Sequence, residues 1–560
     1  MATPTLAIAC AALPPEGAHA VLGQPGDDMN TLHDQHVLIL GLGASGLAMA
    51  RWCTRFGARV TVADTRLAPP QLARLQSELP AARFIGGAFD AAMVQGTDLR
   101  AVFKSPGLSP AEVAPVFEAA QAIGIWAAGE LGLYSQALAA LKLERGYTPA
   151  VLAITGTNGK TTVTSLTAQL LARAGKSVAM AGNIGPTLLD TLAQHLDANS
   201  LPDVWVLELS SFQLDGETSF EPTAAAALNI SQDHLDWHGS MAAYAQAKSN
   251  IFGKTALMVL NREDEEVMRM LSADKPPLGA KTPSGGSAAH AMASAGATKS
   301  PVKIKGQKPQ QRACILFGGD MPQRPGDFGI ETINGMTWLV RALDADETKR
   351  KRNEAAEELF FQRLMPADAL RIRGRHNATN ALAALALASS AGCALAPMLF
   401  GLREYTGEPH RVQPIGTVNA VEYFDDSKGT NVGATVAALL GLGADRKVVA
   451  ILGGEGKGQD FSPLADPVRR CVRTVVLIGR DAPLIRAALQ DTGIPVLDAT
   501  SMADAVRQAS GQAQPGDAVL MSPACASFDM FDNYEHRARV FVQAVTELAL
   551  DAGVMLEGQA

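Results

Sequence analysis

Short apolar runs recur along this chain, and several lead straight into glycine and then into a helical stripe. Val37–Leu40 meets Gly41, Gly43 and Gly46. Ala150–Ile154 meets Gly156 and Gly159, after which Val163, Leu166, Leu170 and Leu171 repeat at helical spacing as far as Gly175. Brief runs rich in Val and Ile predict buried strands. Apolar residues recurring every three or four positions predict a helix packed by one face, and a glycine just past the last of them ends it. A further apolar run starts at Val204, and the stretches KVVAILGG, TVVLIG and AVLMSPACA repeat the strand signal between helical segments. Strands alternating with helices imply parallel sheets.

The pattern falls into three α/β blocks, with boundaries expected at 34–147, 148–407 and 408–560 after a loose extension over 1–33. Within that extension TLAIACAAL could pass for a weak signal-peptide core. No Lys or Arg precedes it, however, so it is not read as one. Two segments interrupt the second block. Residues 272–312 are rich in Ala, Gly, Ser, Pro and Lys, which predicts a flexible surface insertion. Residues 343–363, LDADETKRKRNEAAEELFFQR, are charged and predict a solvated helix within a loop.

Composition narrows the classes. With 560 residues at 47% hydrophobic, the chain can bury a sizeable core. A net charge of −8 argues against a protein that coats a polyanion, so nucleic acid is not an expected partner. No apolar run approaches the ~20 residues of a membrane span. The six cysteines form no C-x-x-C pair, which indicates neither a zinc ribbon nor a disulfide framework and fits a reducing cytoplasm.

Chemistry concentrates after the second strand–glycine junction. Backbone N–H groups at a helix start point outward and can cradle phosphate oxygens, with Lys160 reaching the β- and γ-phosphates and the Thr161 hydroxyl on Mg²⁺. The spacing departs from the standard phosphate-loop pattern, because Ile154 stands where that pattern has its first glycine. Glu208 closes an apolar strand, where a carboxylate needs a partner, and Mg²⁺ prefers oxygen ligands. Asn229–Gly239 reads as a loop dense in His and Asp, with His234 either a metal ligand or simply exposed. Lys248 shares an apolar helix face with Met241, Tyr244, Ile251 and Phe252. It either snorkels to water or loses its proton, and a neutral amine can take up CO₂ as a carbamate. Asn377 and Asn380 share another face, where Asn377 could equally be a helix cap. His410-Arg411, the strand end Asp425, Asp426 and Lys428, and the glycine loop around Lys457 add candidates for a multi-domain site on a phosphorylated substrate. The first junction is ambiguous. Gly41, Gly43 and Gly46 with Asp64 downstream form a dinucleotide fingerprint that alone suggests NAD, though the same geometry holds other nucleotides.

The stretches GTNGKTT, GNIG, LELSSFQL, DHLDWHG with AKSNIF, GRHNATNALAALALA and DDSKGTN resemble the Mur ligase family of peptidoglycan synthesis, over about 36–549 outside the two insertions. Within it, SPACASFDMFDNYEHR and VLELSSFQL are similar to the branch that joins D-glutamate to UDP-N-acetylmuramoyl-L-alanine through an acyl phosphate. The resemblance implies three domains: a Rossmann-like UDP-binding domain, a central P-loop ATPase-type domain, and a Rossmann-like C-terminal domain for the incoming amino acid. It implies that Ser45, Asp64, Thr65, Arg66, Gly107 and Asn183 contact the UDP-sugar. ATP would meet Gly156, Thr157, Asn158, Gly159, Lys160, Thr161, Thr162, Asn377, Asn380, Arg411 and Asp426. D-Glutamate or the phosphate end would meet Lys428, Thr430, Lys457, Ser527, Phe528 and Tyr534. Thr161, Glu208, His234 and a carbamylated Lys248 would hold Mg²⁺ at two sites. Lys160, Glu208, His234 and Lys248 form the implied catalytic set, and a cytoplasmic monomer is the expected working form. Glu455 stands where Asp is common in the family, and Phe528 and Tyr534 where Leu and Phe are common.

Overall fold

The computed structural model describes residues 29–271, 312–344, 359–444 and 446–556. The expected extension up to residue 28 and the bulk of both insertions lie outside the described residues. The extension's last part is not loose: Met29–Leu32 forms a 3₁₀ turn, and Leu32 is buried. One compact unit runs to Gly129 and takes in Ala139–Glu144; the other comprises Glu130–Leu138 and the chain from Arg145 onward. Among the described residues no helix is long and apolar enough to cross a membrane.

The first unit is a five-stranded parallel sheet of β1 (His36–Leu40), β2 (Arg59–Asp64), β3 (Arg83–Gly86), β4 (Leu99–Lys104) and β5 (Trp126–Gly129), in the order β3-β2-β1-β4-β5. Val37, Leu38, Ile39 and Leu40 are all buried, so β1 is covered on both faces and its apolar run is continuous rather than alternating. The strand order reverses beside β1, the place where open α/β sheets bind ligands. Here Gly41 has φ +84°, and a Cβ on Gly46 would lie 1.9 Å from the Gly41 carbonyl oxygen. That packing admits no side chain at Gly46.

The second unit holds two sheets. Nine strands form the central one: β6 (Ala150–Thr155), β7 (Val178–Gly182), β8 (Val204–Glu208), β9 (Ala224–Ala227), β10 (Leu257–Asn261), β11 (Cys314–Phe317), β12 (Phe328–Ile333), β13 (Met336–Asp344) and β14 (Leu359–Pro366). Their order is β14-β13-β12-β11-β10-β9-β6-β8-β7. Val163, Leu166 and Leu170 of helix Lys160–Arg173 share one core with Leu382 and Leu385 of helix Arg375–Ser390. The C-terminal sheet comprises β15 (Gln413–Val418), β16 (Val421–Asp425), β17 (Val448–Gly453), β18 (Val472–Ile478), β19 (Val496–Asp498) and β20 (Ala518–Met521), ordered β15-β16-β20-β17-β18-β19. Along β17, Val448, Ala450 and Leu452 enter one core while Val449 and Ile451 enter another, so this sheet too is buried on both sides.

Three expectations need correction. The sheets are not wholly parallel: β12, β13 and β14 run antiparallel, as do β15 and β16. The connections explain it. Asn334-Gly335 joins β12 to β13 with φ 51° and 78°, and Asn419-Ala420 joins β15 to β16 with φ 51° and 61°. Two left-handed residues make a hairpin turn that suits antiparallel strands, whereas a parallel pair needs a long crossover. The expected helix over 343–363 is a strand at both described ends, with Asp344 paired to Leu359 across β13 and β14. Ladder hydrogen bonds from β13 outweigh local charge there. Finally, the Asn229–Gly239 loop contains a helical turn, Leu235–His238.

Candidate active site

The turn after β6 is shaped by its glycines. Gly156 has φ +152° and Gly159, the N-cap of the following helix, has φ +84°. A Cβ on Gly159 would come within 2.8 Å of Asn380 Oδ1, which places the expected Asn380 against the turn. The loop after β9 braces it: the Thr157 amide donates to the Asn229 carbonyl at 2.8 Å, and the Asn158 amide donates to Asn229 Oδ1 at 2.8 Å. Lys160 Nζ folds back onto the Gly156 and Thr157 carbonyls, each at 2.9 Å. Burial pushes its pKa down. Thr162 is buried in the same first turn. Asn377 donates to the Arg373 carbonyl at 2.8 Å and accepts from Asn380 at 3.2 Å, so the two asparagines act as a pair, while Gly374 takes the cap position.

Glu208 ends β8 and is 2% exposed. Its Oε1 accepts from Asn183 Nδ2 at 2.7 Å, while its buried Oε2 has no hydrogen-bond partner. An orphaned carboxylate oxygen is costly unless something else fills its coordination. Lys248 lies 1% exposed on helix Met241–Ser249. Its Nζ donates to the Gly156 carbonyl at 3.0 Å and sits 4.7 Å from the centre of the Tyr244 ring. It does not snorkel. Burial, and then the charge on Lys160, pushes its pKa well below the usual lysine range. His234 has φ +53°, packs edge-on against Phe212 at 4.7 Å, and has its pKa lowered by burial. The His234 imidazole, the Glu208 side chain with its free oxygen and the Thr161 hydroxyl are donors whose chemistry is compatible with Mg²⁺. Among the described residues, no group of three His, Cys, Asp or Glu side chains forms a ready-made metal cage.

The C-terminal sheet reaches this turn from the other side. Arg411 Nη2 donates to Thr161 Oγ1 at 2.7 Å. Its neighbour His410 contacts Asp425 Oδ2 at 2.6 Å, and the Val412 amide donates to Asp426 Oδ1 at 3.2 Å. Burial raises the Asp426 carboxyl to about 7 against the hydrogen bond from Ser522 Oγ at 2.6 Å. Lys428 Nζ lies 3.6 Å from the centre of the Tyr534 ring, and Lys457 Nζ lies 5.9 Å from that of the exposed Phe528. Ser527 is buried and Thr430 half-buried in the adjoining loops. Arg537 was not singled out from the sequence. It is 1% exposed and donates to the Ser427 and Cys525 carbonyls at 2.8 and 3.0 Å, tying together the loops that carry Lys428 and Ser527. The only trace of it in the sequence is a charge on a helix stripe otherwise made of Ala538, Phe541 and Val545.

In the first unit, Asp64 is buried and fully engaged. It accepts from the Leu42 amide at 2.7 Å and from Arg66 Nε and Nη2 at 2.8 Å. Burial pushes its pKa up, but these hydrogen bonds outweigh that and hold it below the usual carboxylate range. Thr65, Arg66 and Gly107 are exposed and Ser45 half-buried around the same sheet edge. Asn183 belongs to the second unit, where it orients Glu208.

Comparison with known proteins follows the three-sheet layout. A model of the MurD-like N-terminal domain of Mur ligases matches residues 35–129, the Mur ligase middle domain matches 154–310, and the Mur ligase glutamate ligase domain matches 410–525. A UDP-N-acetylmuramoylalanine–D-glutamate ligase of Albidiferax ferrireducens is 70% identical over 532 residues, spanning 95% of this chain and 100% of the relative. The chain belongs to the Mur ligase family. An enzyme of the same name from Burkholderia pseudomallei is 54% identical, covering 93% of this Mur ligase and 98% of its own length. MurF ligase from Thermotoga maritima, solved in complex with ADP, superimposes with a TM-score of 0.51 at 14% identity, covering 95% of this Mur ligase and 100% of that chain. At that identity the likeness concerns the fold alone.

Proposed function

We propose that this chain joins D-glutamate to UDP-N-acetylmuramoyl-L-alanine at the expense of ATP, a step in assembling the peptidoglycan precursor, as the names of its close relatives indicate. The observation that carries the reading is Arg411 on Thr161: a cation from the turn leading into the C-terminal sheet meets the phosphate turn of the central one. The proposed domains are 34–147 for the UDP moiety, 148–407 for ATP and 408–560 for the amino acid.

A carboxylate is a poor acyl donor, so its oxygen first takes the γ-phosphoryl group of ATP. Lys160, Arg411 and the amides of the turn neutralise charge on the transferring group. Lys160 donates to the turn carbonyls, and a phosphate oxygen would be a stronger acceptor for it. Glu208, Thr161, His234 and a carbamylated Lys248 would hold Mg²⁺, which supplies Lewis-acid stabilisation of phosphate charge. The orphaned Glu208 oxygen supports that assignment, and burial, which lowers the Lys248 pKa, favours the unprotonated amine that CO₂ capture needs. Asn377, Asn380 and Asp426 orient the rest of ATP. Ser45, Asp64, Thr65, Arg66, Gly107 and Asn183 hold the UDP-sugar. Lys428, Thr430, Lys457, Ser527, Phe528 and Tyr534 hold D-glutamate, whose amine attacks the acyl carbon as phosphate leaves. Closed loops keep water from the acyl phosphate. The free cysteines among the described residues support a reducing, cytoplasmic setting.

The test is phosphate release with UDP-N-acetylmuramoyl-L-alanine and a panel of amino acids supplied singly. D-Glutamate should give stoichiometric phosphate and amide. Turnover with another amino acid and none with D-glutamate would reassign the C-terminal site.

A further inference from the structure

Asn158, in the phosphate turn, and Asn431, which caps a helix of the C-terminal sheet, face each other across 273 positions of sequence and exchange two amide hydrogen bonds. Asn158 Nδ2 donates to Asn431 Oδ1 at 3.2 Å, and Asn431 Nδ2 donates to Asn158 Oδ1 at 3.1 Å. Asn431 Nδ2 also lies 3.4 Å from Asp233 Oδ2, beside His234. Both ends are fixed from behind. The Asn158 main chain is held by Asn229 through its amide and its carbonyl, at 2.8 and 3.0 Å. Asn431 Oδ1 also accepts from the Ala434 amide at 2.9 Å, the N-cap bond of helix Val432–Leu442. The two parts approach so closely that a Cβ on Gly433 would lie 3.0 Å from Ser231 Oγ and 3.1 Å from Asn158 Nδ2. Asn431 is 7% exposed and Asn158 half-buried, so these bonds are partly sheltered from competing water.

We propose that Asn158 and Asn431 form a clasp that couples the phosphate turn to the amino-acid loop, making Asn431 a positioning residue for ligation. Thr430 immediately precedes Asn431 and Lys428 lies in the same loop, where the Thr430 amide donates to the Lys428 carbonyl at 2.9 Å. Closing the clasp seats that loop over the phosphate turn; opening it withdraws both residues and admits water to the same place. Asn431 itself touches no reacting atom. Each asparagine supplies one donor and one acceptor on separate atoms, a reciprocal pairing that Asp, with no donor, and Ser or Thr, with one shorter hydroxyl, do not reproduce. This inference rests on the proposed ligase reading.

The experiment separates the clasp from the cap. Asn431→Ser and Asn431→Asp both keep a good N-cap for the helix but break the paired bonds to Asn158, Asp because it has no donor and Ser because its single hydroxyl is one bond shorter. In each, KM for D-glutamate should rise roughly tenfold, the size expected from one or two neutral hydrogen bonds, while KM for ATP changes much less. Phosphate release should exceed amide formation, because water now competes for the acyl phosphate. Adding Asn158→Ala to Asn431→Ser should raise the D-glutamate KM no further, since the pair is already broken. Wild-type values for both Asn431 variants, with phosphate and amide still equal, would overturn the clasp. So would a loss of melting temperature with unchanged coupling, which reduces Asn431 to a helix cap. A wild-type protein that releases no phosphate with D-glutamate would instead sink the ligase reading itself.

Discussion

The turns after β1 and after β6 make the same move with different surroundings. Each leaves a buried parallel strand at the point where strand order changes, passes through a left-handed glycine, and starts a helix. Around the first, the acidic partner Asp64 is spoken for by the Leu42 amide and by Arg66. Around the second stand the Lys160 and Arg411 side chains, the buried Lys248 amine, and a glutamate with one free oxygen. Glycine supplies the shape in both; the side chains brought in from other elements decide what the shape holds. One turn is self-satisfied, in keeping with the proposed role of holding the UDP-sugar. The other is charged and incompletely satisfied, as a site for chemistry must be.

The sharpest way to break this contrast is Lys160→Ala. It should cost about 10²–10³-fold in kcat, the loss typical for one preorganised charge donor, as measured by phosphate release. A normal rate would make the second turn no more chemical than the first. Lys248→Ala should lose about 10²-fold as well, and acetate should restore part of it by supplying the missing carboxylate near the metal. Carbon-13 NMR of wild type under labelled CO₂ should show a carbamate signal absent from the variant.

Asp64→Ala should act more gently and on the other turn. Losing the Leu42 and Arg66 contacts should raise Kd for the UDP-sugar about tenfold and leave ATP affinity alone, as titration calorimetry would report. An equal loss for both ligands would erase the distinction between the turns. The smallest expected effect concerns Asp426, raised to about 7 by burial from 3.8. Between those values the folded state keeps a proton that the unfolded chain has released, so this group's contribution to stability falls as pH rises through that window. Asp426→Asn removes the titration. Denaturant melts at pH 5 and pH 8 should therefore favour the variant more at the higher pH; a constant difference would mean the carboxyl is not shifted.

Much of this was legible in the chain. The strands before both glycine turns, the helix after Gly159, and the strand delivering Glu208 follow from apolar periodicity and glycine placement, and each falls where it was expected. The hairpin at Asn334-Gly335 was legible too, because Asn-Gly between alternating strands is a turn signal, but block-level reading as parallel sheet passed over it. The 343–363 segment misled because charge density reads as solvated helix, while its ends obey a ladder to β13 that no local window contains.

The sequence by itself determined the strands and helices beside the glycine turns, the turns themselves and the residue types available for phosphate chemistry, since these rest on backbone sterics and short-range periodicity. Tertiary structure alone decided whether Lys248 is buried, that Asn183 orients Glu208, that Arg537 ties two loops, and that Asn158 meets Asn431. Burial and hydrogen-bond partnership depend on which distant segments the packed core brings together, and that information is spread over the whole chain rather than written at any one position.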